Sequence, residues 1–164
     1  MGFTVAVVGC GRWGSVHVAS LLHLKEKGMI KRVVACDRVE NTVEAIQGVD
    51  ARYTSWQIMC EKETPDLVVL ATPNDTHAPL GMALLAKGLH VLIEKPFGAS
   101  PSEARALLDK AIEKQAAVFS GHLLRHHAGF QQAKHLIEEG AIGQLITATS
   151  VSYTHLTLPT IYSV

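Results

Sequence analysis

Apolar residues in this chain come as short unbroken runs, each followed by a glycine or polar turn and then by a stretch with helical spacing. Val5 to Val8 places a first strand over residues 3 to 9, and residues 12 to 27 form a helix with Leu21, Leu22 and Leu24 among its apolar positions and Gly28 as its stop. The arrangement then repeats. Val33 to Cys36 predict a strand over 31 to 37, followed by a helix over 40 to 47, a short strand over 49 to 53, and a helix from a Thr54-Ser55 cap through Glu61, with Trp56 as a packing residue. A fourth strand covers 66 to 71, and a helix capped by Thr76 or Asp75 runs to about Lys87. The fifth strand covers 88 to 93. Ser100 caps the next helix, Pro101 suits its first position and Glu103 completes a capping box, with the end near Lys114. A sixth strand over 116 to 120 is expected to continue through Gly121 to His127.

Strands that are apolar at every residue, rather than at every second one, have both faces covered by helices. With the strand-helix repeat of about 25 to 35 residues, this predicts an α/β fold, a doubly wound parallel sheet. Beyond it, Gly129 to Glu139 is an amphipathic helix stopped by Gly140, and Ile142 to Ser150 is expected to open a second α+β domain as its first strand. The domains predicted are therefore 1–122 for the doubly wound unit, 123–150 for a linker helix and the truncated start of a substrate domain, and 151–164 for a tail.

A chain of 164 residues holds one domain of ordinary size with a real core. Fifteen Lys and Arg balance fifteen Asp and Glu, so the charge gives no case for nucleic acid or an anionic membrane as partner. Cys10, Cys36 and Cys60 are odd in number and lack a C-x-x-C spacing, which reads as small hydrophobes in a reducing compartment. No basic leader precedes an apolar core and no apolar run reaches about 18 residues, so a cytoplasmic soluble protein is expected.

The chemistry starts where the first strand breaks into Gly9-Cys10-Gly11-Arg12-Trp13-Gly14, a G-x-G-x-x-G turn feeding a helix. Gly9 permits the sharp turn, Gly11 lets the backbone approach a pyrophosphate, and Gly14 lets helix and strand pack closely, which is the Rossmann dinucleotide arrangement. Asp37 ends the second strand about 20 residues further on, where an acid accepts the ribose hydroxyls of adenosine and repels a phosphate. NAD is thereby favoured over NADP. Arg38 keeps NADP possible, because a guanidinium can stack on adenine or neutralise a 2'-phosphate. A turn or helix-capping role is the other reading of Asp37.

Thr72-Pro73-Asn74-Asp75-Thr76-His77 forms a polar turn at the carboxyl end of the fourth strand, where open parallel sheets bind ligands. His77 and His17 are the commoner kind of histidine, hydrogen-bonded and structural. The fifth strand delivers Glu94-Lys95-Pro96 to the same rim, and Glu94, Lys95, Asn74 and Arg125 all fall at strand ends that one cleft can hold. A lysine beside a nicotinamide can orient a substrate hydroxyl and pass its proton, with Glu94 holding it in place. Pro96 can follow a cis bond. His122, His126 and His127 are poorly disposed for a metal, since adjacent side chains diverge, and no metal is expected.

Together, Gly9 to Gly14, Ala71 to His77, Glu94-Lys95-Pro96 and Gly121-His122-Leu123-Leu124-Arg125 resemble the glucose-fructose oxidoreductase, inositol dehydrogenase and rhizopine-catabolism family over residues 3 to about 150. The resemblance implies an N-terminal nucleotide domain, with the 72–77 turn touching the cofactor, Lys95 assisting proton transfer, Pro96 in cis, and Arg125 near nicotinamide and substrate. Cofactor contacts are thus expected at Gly9, Gly11, Arg12, Trp13, Gly14, Asp37, Arg38, Thr72, Pro73, Asn74, His77, Glu94, Lys95 and Arg125. The G-H-L-L-R-H-H form is similar to members that oxidise nucleotide-linked amino sugars. His126 stands where the family usually has an aromatic residue, and proline is often found near Ala128.

Val151 to Val164 resemble no family sequence. Val-Ser-Tyr-Thr-His-Leu is what GTC TCT TAT ACA CAT CTx encodes, a transposon-end sequence of read libraries, so 151–164 are expected to be an adapter-derived tail and natural sequence to end near Ser150. A genuine short strand and turn is the alternative.

The function implied is an NAD(P)-dependent oxidoreductase moving a hydride between nicotinamide and a hydroxyl of a sugar or nucleotide sugar. The chain by itself is expected to bind cofactor at best, the intact protein to form a homo-oligomer. A non-catalytic NAD(P)-sensing regulator and a free-standing nucleotide-binding interaction protein are the other classes the sequence allows.

Overall fold

The computed structural model describes residues 2–149, and the chain divides into two compact units at His122 and Leu123. Ser150 and the adapter-like stretch 151–164 lie outside the described residues. In the first unit, β1 (Phe3–Val8), β2 (Ile30–Cys36), β3 (Ala51–Tyr53), β4 (Leu67–Leu70), β5 (His90–Ile93) and β6 (Val118–Ser120) form one sheet in the order β3-β2-β1-β4-β5-β6. Every pairing is parallel. The helices between them are α1 (Arg12–Glu26), α2 (Glu40–Glu44), α3 (Trp56–Glu63), α4 (His77–Ala86) and α5 (Pro101–Glu113). This is the doubly wound Rossmann sheet, and its strand order reverses between β1 and β4, which opens a crevice at their carboxyl ends.

The unbroken apolar runs are explained by the two cores. Along β1, Ala6 and Val8 pack with Met59 of α3, Leu84 and Leu85 of α4 and Leu107 of α5 on one face. Val5 and Val7 pack with Val18 of α1 and Val43 of α2 on the other. Successive side chains of a strand point to opposite faces, so a strand covered on both sides must be apolar at each position. Trp56 packs against the first core, as its place at the head of α3 predicts.

Local signals set most boundaries. Ser55 Oγ accepts from Ile58 N–H, and Ser100 Oγ accepts from Glu103 N–H with Pro101 opening α5. The Glu103 carboxylate completes the box one residue early, on the N–H of Ala99 rather than that of Ser100. Three expectations are corrected. Thr76 stands at the N-cap of α4, but neither it nor Asp75 caps the helix with its side chain: the Thr76 hydroxyl turns back to Thr72 Oγ1 at 2.7 Å and to the Pro73 carbonyl, within a 3-10 turn over Asn74–Thr76. The helix predicted to reach residue 47 ends at Glu44, ahead of Gly48 at φ +79°. Pairing of β6 with β5 stops at Ser120, and Leu123–His126 turns as a 3-10 helix instead of extending the strand.

The second unit holds α6 (Ala128–Glu138), closed by Gly140 at φ +73°. His127 Nδ1 accepts from the N–H of Gly129 and so caps the helix. Residues 142–149 form no strand, which corrects the expectation there. A strand exists only where a neighbour supplies a ladder, and none of the described residues pairs with that run.

Candidate functional site

The crevice is built from backbone first. Gly9 has φ +90°, and a Cβ on it would stand 2.7 Å from the carbonyl group of Ala71 and 2.8 Å from the nitrogen of Thr72, so the turn after β1 lies flat against the turn after β4. Only glycine meets both requirements. A Cβ on Gly14 would stand 1.7 Å from the Gly9 carbonyl oxygen, which brings α1 down onto the end of β1. Gly11 is different: nothing lies within 4 Å of where its Cβ would be. It also precedes α1 without a side-chain cap, and no acid stands in the first turn, so the first helical amides are left for an anion.

Asp37 lies one residue beyond β2 and holds this turn. Its Oδ2 accepts from the N–H of Cys10 at 2.7 Å and its Oδ1 from the N–H of Val39 at 2.9 Å. Each oxygen keeps a further lone pair. Asp37 thus makes a turn ahead of α2, whose N-cap is Val39 without a side-chain cap, and the same geometry stays compatible with the ribose-acceptor reading. Burial, with Asp37 nearby, pushes the Cys10 thiol up to about 11, and burial pushes that of Cys36 up to about 12. All three cysteines are buried and free, packed among the apolar side chains as the small hydrophobes the sequence suggests.

The β4·β5 ladder runs one step past β5, where Glu94 N–H donates to the Leu70 carbonyl. That step carries Glu94 and Lys95 to the crevice from the strand beside β4. The Lys95–Pro96 peptide bond is cis. Lys95 is exposed, and its Nζ lies 5.9 Å from the centre of the Trp13 ring. Glu94 is only 5% exposed: one carboxylate oxygen meets His17 Nε2 at 2.8 Å and the other accepts the Lys95 N–H at 3.1 Å. His17, which the sequence reading set aside as structural, is thus one residue away from the lysine through Glu94. Its place four residues after Trp13 on α1 is the signal that finds it.

His77 is 1% exposed, with Nδ1 2.7 Å from the Pro96 carbonyl and Nε2 2.8 Å from the Thr72 carbonyl. This corrects its expected role as a cofactor contact: the ring is sealed inside and ties the turn after β4 to the turn after Lys95. Glu94 is likewise an inner residue, with its carboxylate engaged by His17 and by the Lys95 N–H. Arg12, Arg38, Pro73 and Asn74 are exposed on the first unit, and Thr72 is half-buried. Arg125 belongs to the second unit, exposed in its 3-10 turn. Among the described residues no cluster of His, Cys, Asp and Glu has the makings of a metal site, and no helix is long and apolar enough to cross a membrane.

A dinucleotide fits this arrangement on structural grounds. The open side of Gly11, the uncapped amides of α1 and the carboxylate of Asp37 offer room for a backbone approach, donors for a pyrophosphate and an acceptor for a ribose.

Comparison with known proteins gives the same picture. A family model described as an oxidoreductase family with an NAD-binding Rossmann fold, Gfo/Idh/MocA, matches residues 3–122. Rhizopine catabolism protein MocA of Rhizobium meliloti is 31% identical over 145 residues, which cover 87% of this chain and 44% of MocA. A dTDP-3,4-didehydro-2,6-dideoxy-alpha-D-glucose 3-reductase of Streptomyces violaceoruber is 34% identical over 110 residues, 67% of this chain and 30% of the reductase. The crystal structure of the WlbA dehydrogenase from Bordetella pertussis, in complex with NADH and UDP-GlcNAcA, superimposes with a TM-score of 0.79 at 25% identity, over 88% of this chain and 45% of that one. The chain spans less than half the length of each of these proteins.

Proposed function

The chain belongs to the Gfo/Idh/MocA family of oxidoreductases with an NAD-binding Rossmann fold, and on that premise we propose that it is the cofactor-binding part of an NAD-dependent dehydrogenase or reductase acting on a hydroxyl or carbonyl of a sugar or nucleotide sugar. The observation that carries this reading is the meeting, at one switch point, of the Gly9 to Gly14 turn with Lys95. When bound, the nicotinamide supplies the hydride acceptor or donor. Gly11 and the α1 amides hold the pyrophosphate, with Arg12 beside them. Asp37 takes the adenosine ribose, which favours NAD, while Arg38 stands where it can stack on adenine. Thr72, Pro73 and Asn74 wall the crevice on the β4 side.

Lys95 is the catalytic residue of this reading. Its amino group would bind the substrate oxygen, giving it a proton as the ammonium when a carbonyl is reduced and taking one as the neutral amine when a hydroxyl is oxidised. Arg125, in the second unit, is assigned to nicotinamide and substrate by family resemblance. Sugar and nucleotide-sugar relatives, including the dTDP-sugar reductase and the UDP-GlcNAcA complex, support the substrate class. A cytoplasmic setting and a homo-oligomeric intact protein complete the proposal.

Titration of the purified chain with NADH and NADPH, followed by nucleotide fluorescence, tests the cofactor site. Saturable binding with NADH the tighter is expected. A folded chain that binds neither overturns the assignment.

A further inference from the structure

We propose that one face of α1, carrying Trp13 and His17, is the positioning element for Lys95, so that the helix that seats the cofactor phosphates also sets the place of the reacting amine. This rests on the oxidoreductase reading and adds two positioning residues to it.

Trp13 and His17 are four residues apart and therefore neighbours on the helix surface. Trp13 presents its ring to the Lys95 ammonium at 5.9 Å, within the range of a cation–π contact. His17 donates from Nε2 to Glu94 at 2.8 Å, and the other oxygen of Glu94 accepts the backbone N–H of Lys95. Lys95 is gripped at its ammonium and at its backbone from a single turn of helix.

The burial of Glu94 makes this grip specific. A carboxylate 5% exposed needs a hydrogen-bonded partner to remain there, and His17 is the side chain that supplies one. Behind it, a Cβ on Gly121 would stand 3.0 Å from the carboxylate carbon, so the glycine leaves the space that Glu94 fills. With β6 behind and His17 in front, Glu94 has one seat, and the backbone of Lys95 follows it. The open amides of Arg12 and Trp13 begin the same helix, which ties phosphate seat and amine to one rigid body.

The test uses the whole 164-residue chain with its lysines reductively 13C-methylated, a change that keeps their charge. The Lys95 resonance is assigned by its loss in Lys95→Arg and is expected upfield of the exposed lysines, displaced by the Trp13 ring. Trp13→Leu should abolish that displacement and Trp13→Phe keep part of it. His17→Ala should move the Lys95 resonance toward the exposed lysines with the others unchanged, and His17→Gln, whose amide can still donate to Glu94, should restore it. Should His17→Ala not fold, His17→Asn, too short to reach Glu94, serves in its place.

A Lys95 resonance that stays put in Trp13→Leu and in the His17 variants overturns the proposal. NADH titration of the same samples separates the two readings. Failure of the parent chain to bind NADH counts against the oxidoreductase assignment, while intact NADH binding with an indifferent Lys95 counts against the positioning role alone.

Discussion

The carbonyl oxygen of Gly9 occupies the space that a side chain on Gly14 would need, 1.7 Å from where its Cβ would stand. Gly11, between them, has nothing within 4 Å of the corresponding point. Two glycines of one motif therefore stand in different surroundings, one closely packed and one facing the open space that the proposed function gives to the cofactor. Gly14→Ala should push α1 off β1 and lower stability by about 2 kcal/mol, with NADH binding lost as well. Gly11→Ala should leave the melting temperature nearly unchanged and, on the proposed function, weaken NADH about ten-fold, because the added methyl enters the open space assigned to the cofactor. Calorimetry beside NADH titration checks the pair, and equal destabilisation by both variants would refute the division.

Asp37, one residue past β2, holds the Cys10 N–H at 2.7 Å and, in the function proposed, also takes the adenosine ribose. Asp37→Ser removes the charge and keeps a short acceptor. A charge-assisted hydrogen bond is worth about 1.5 to 3 kcal/mol, so NADH affinity should fall at least about ten-fold. NADPH should be affected far less, since the carboxylate that repels its phosphate is gone and Arg38 remains. Parallel titrations with the two nucleotides measure the ratio, and an unchanged preference would place the ribose elsewhere.

His77 should prove structural in its energetics. Replacing it by Phe conserves much of the volume but leaves the carbonyls of Thr72 and Pro96 without the ring nitrogens that face them at 2.8 and 2.7 Å. A buried acceptor left unpaired costs about 1 to 3 kcal/mol, so His77→Phe should lower the urea midpoint clearly. The cofactor affinity of the fraction that remains folded should drop too, because the two turns on the β4 side of the crevice lose their tie.

What the sequence made legible follows from range. Strands covered on both faces are written as unbroken apolar runs, and the Gly9 to Gly14 turn states its backbone demands in its own residues. The site's inner supports are long-range instead. His17 and Glu94 are separated by most of the first unit, and they meet only because α1 and the end of β5 are brought to one rim by the 3-2-1-4-5-6 order. His77 is legible as a helix-start residue, yet its two partners lie in separate turns. The apolar run at 142–149 shows the converse, since hydrophobicity and β-branching mark a candidate strand but a partner strand makes one.

Acid stability offers a test away from the crevice. Glu63, at the end of α3, accepts from Arg32 Nε at 2.7 Å and from its Nη2 at 2.9 Å, and also from the Tyr53 hydroxyl at 2.7 Å. The Arg32 hydrogen bonds hold its carboxyl below the ordinary 4.5, against an opposing effect of burial and with help from Tyr53. A folded-state value below the unfolded one means that the contribution is fully present above about pH 4.5 and is lost as pH falls through the depressed value. Glu63→Gln should therefore cost about 1 kcal/mol at pH 7, a modest figure because Arg32 is partly exposed. The gap between parent and variant should stay constant from neutral pH to about 5 and close progressively below 4.5, as the parent's carboxyl takes up its proton. Asp50, held low despite its burial by Lys25 and by the Val33 N–H, titrates in both proteins and largely cancels in the difference. Urea midpoints measured across that range decide the matter, and a gap that persists undiminished at pH 3 would show that Glu63 contributes shape rather than charge.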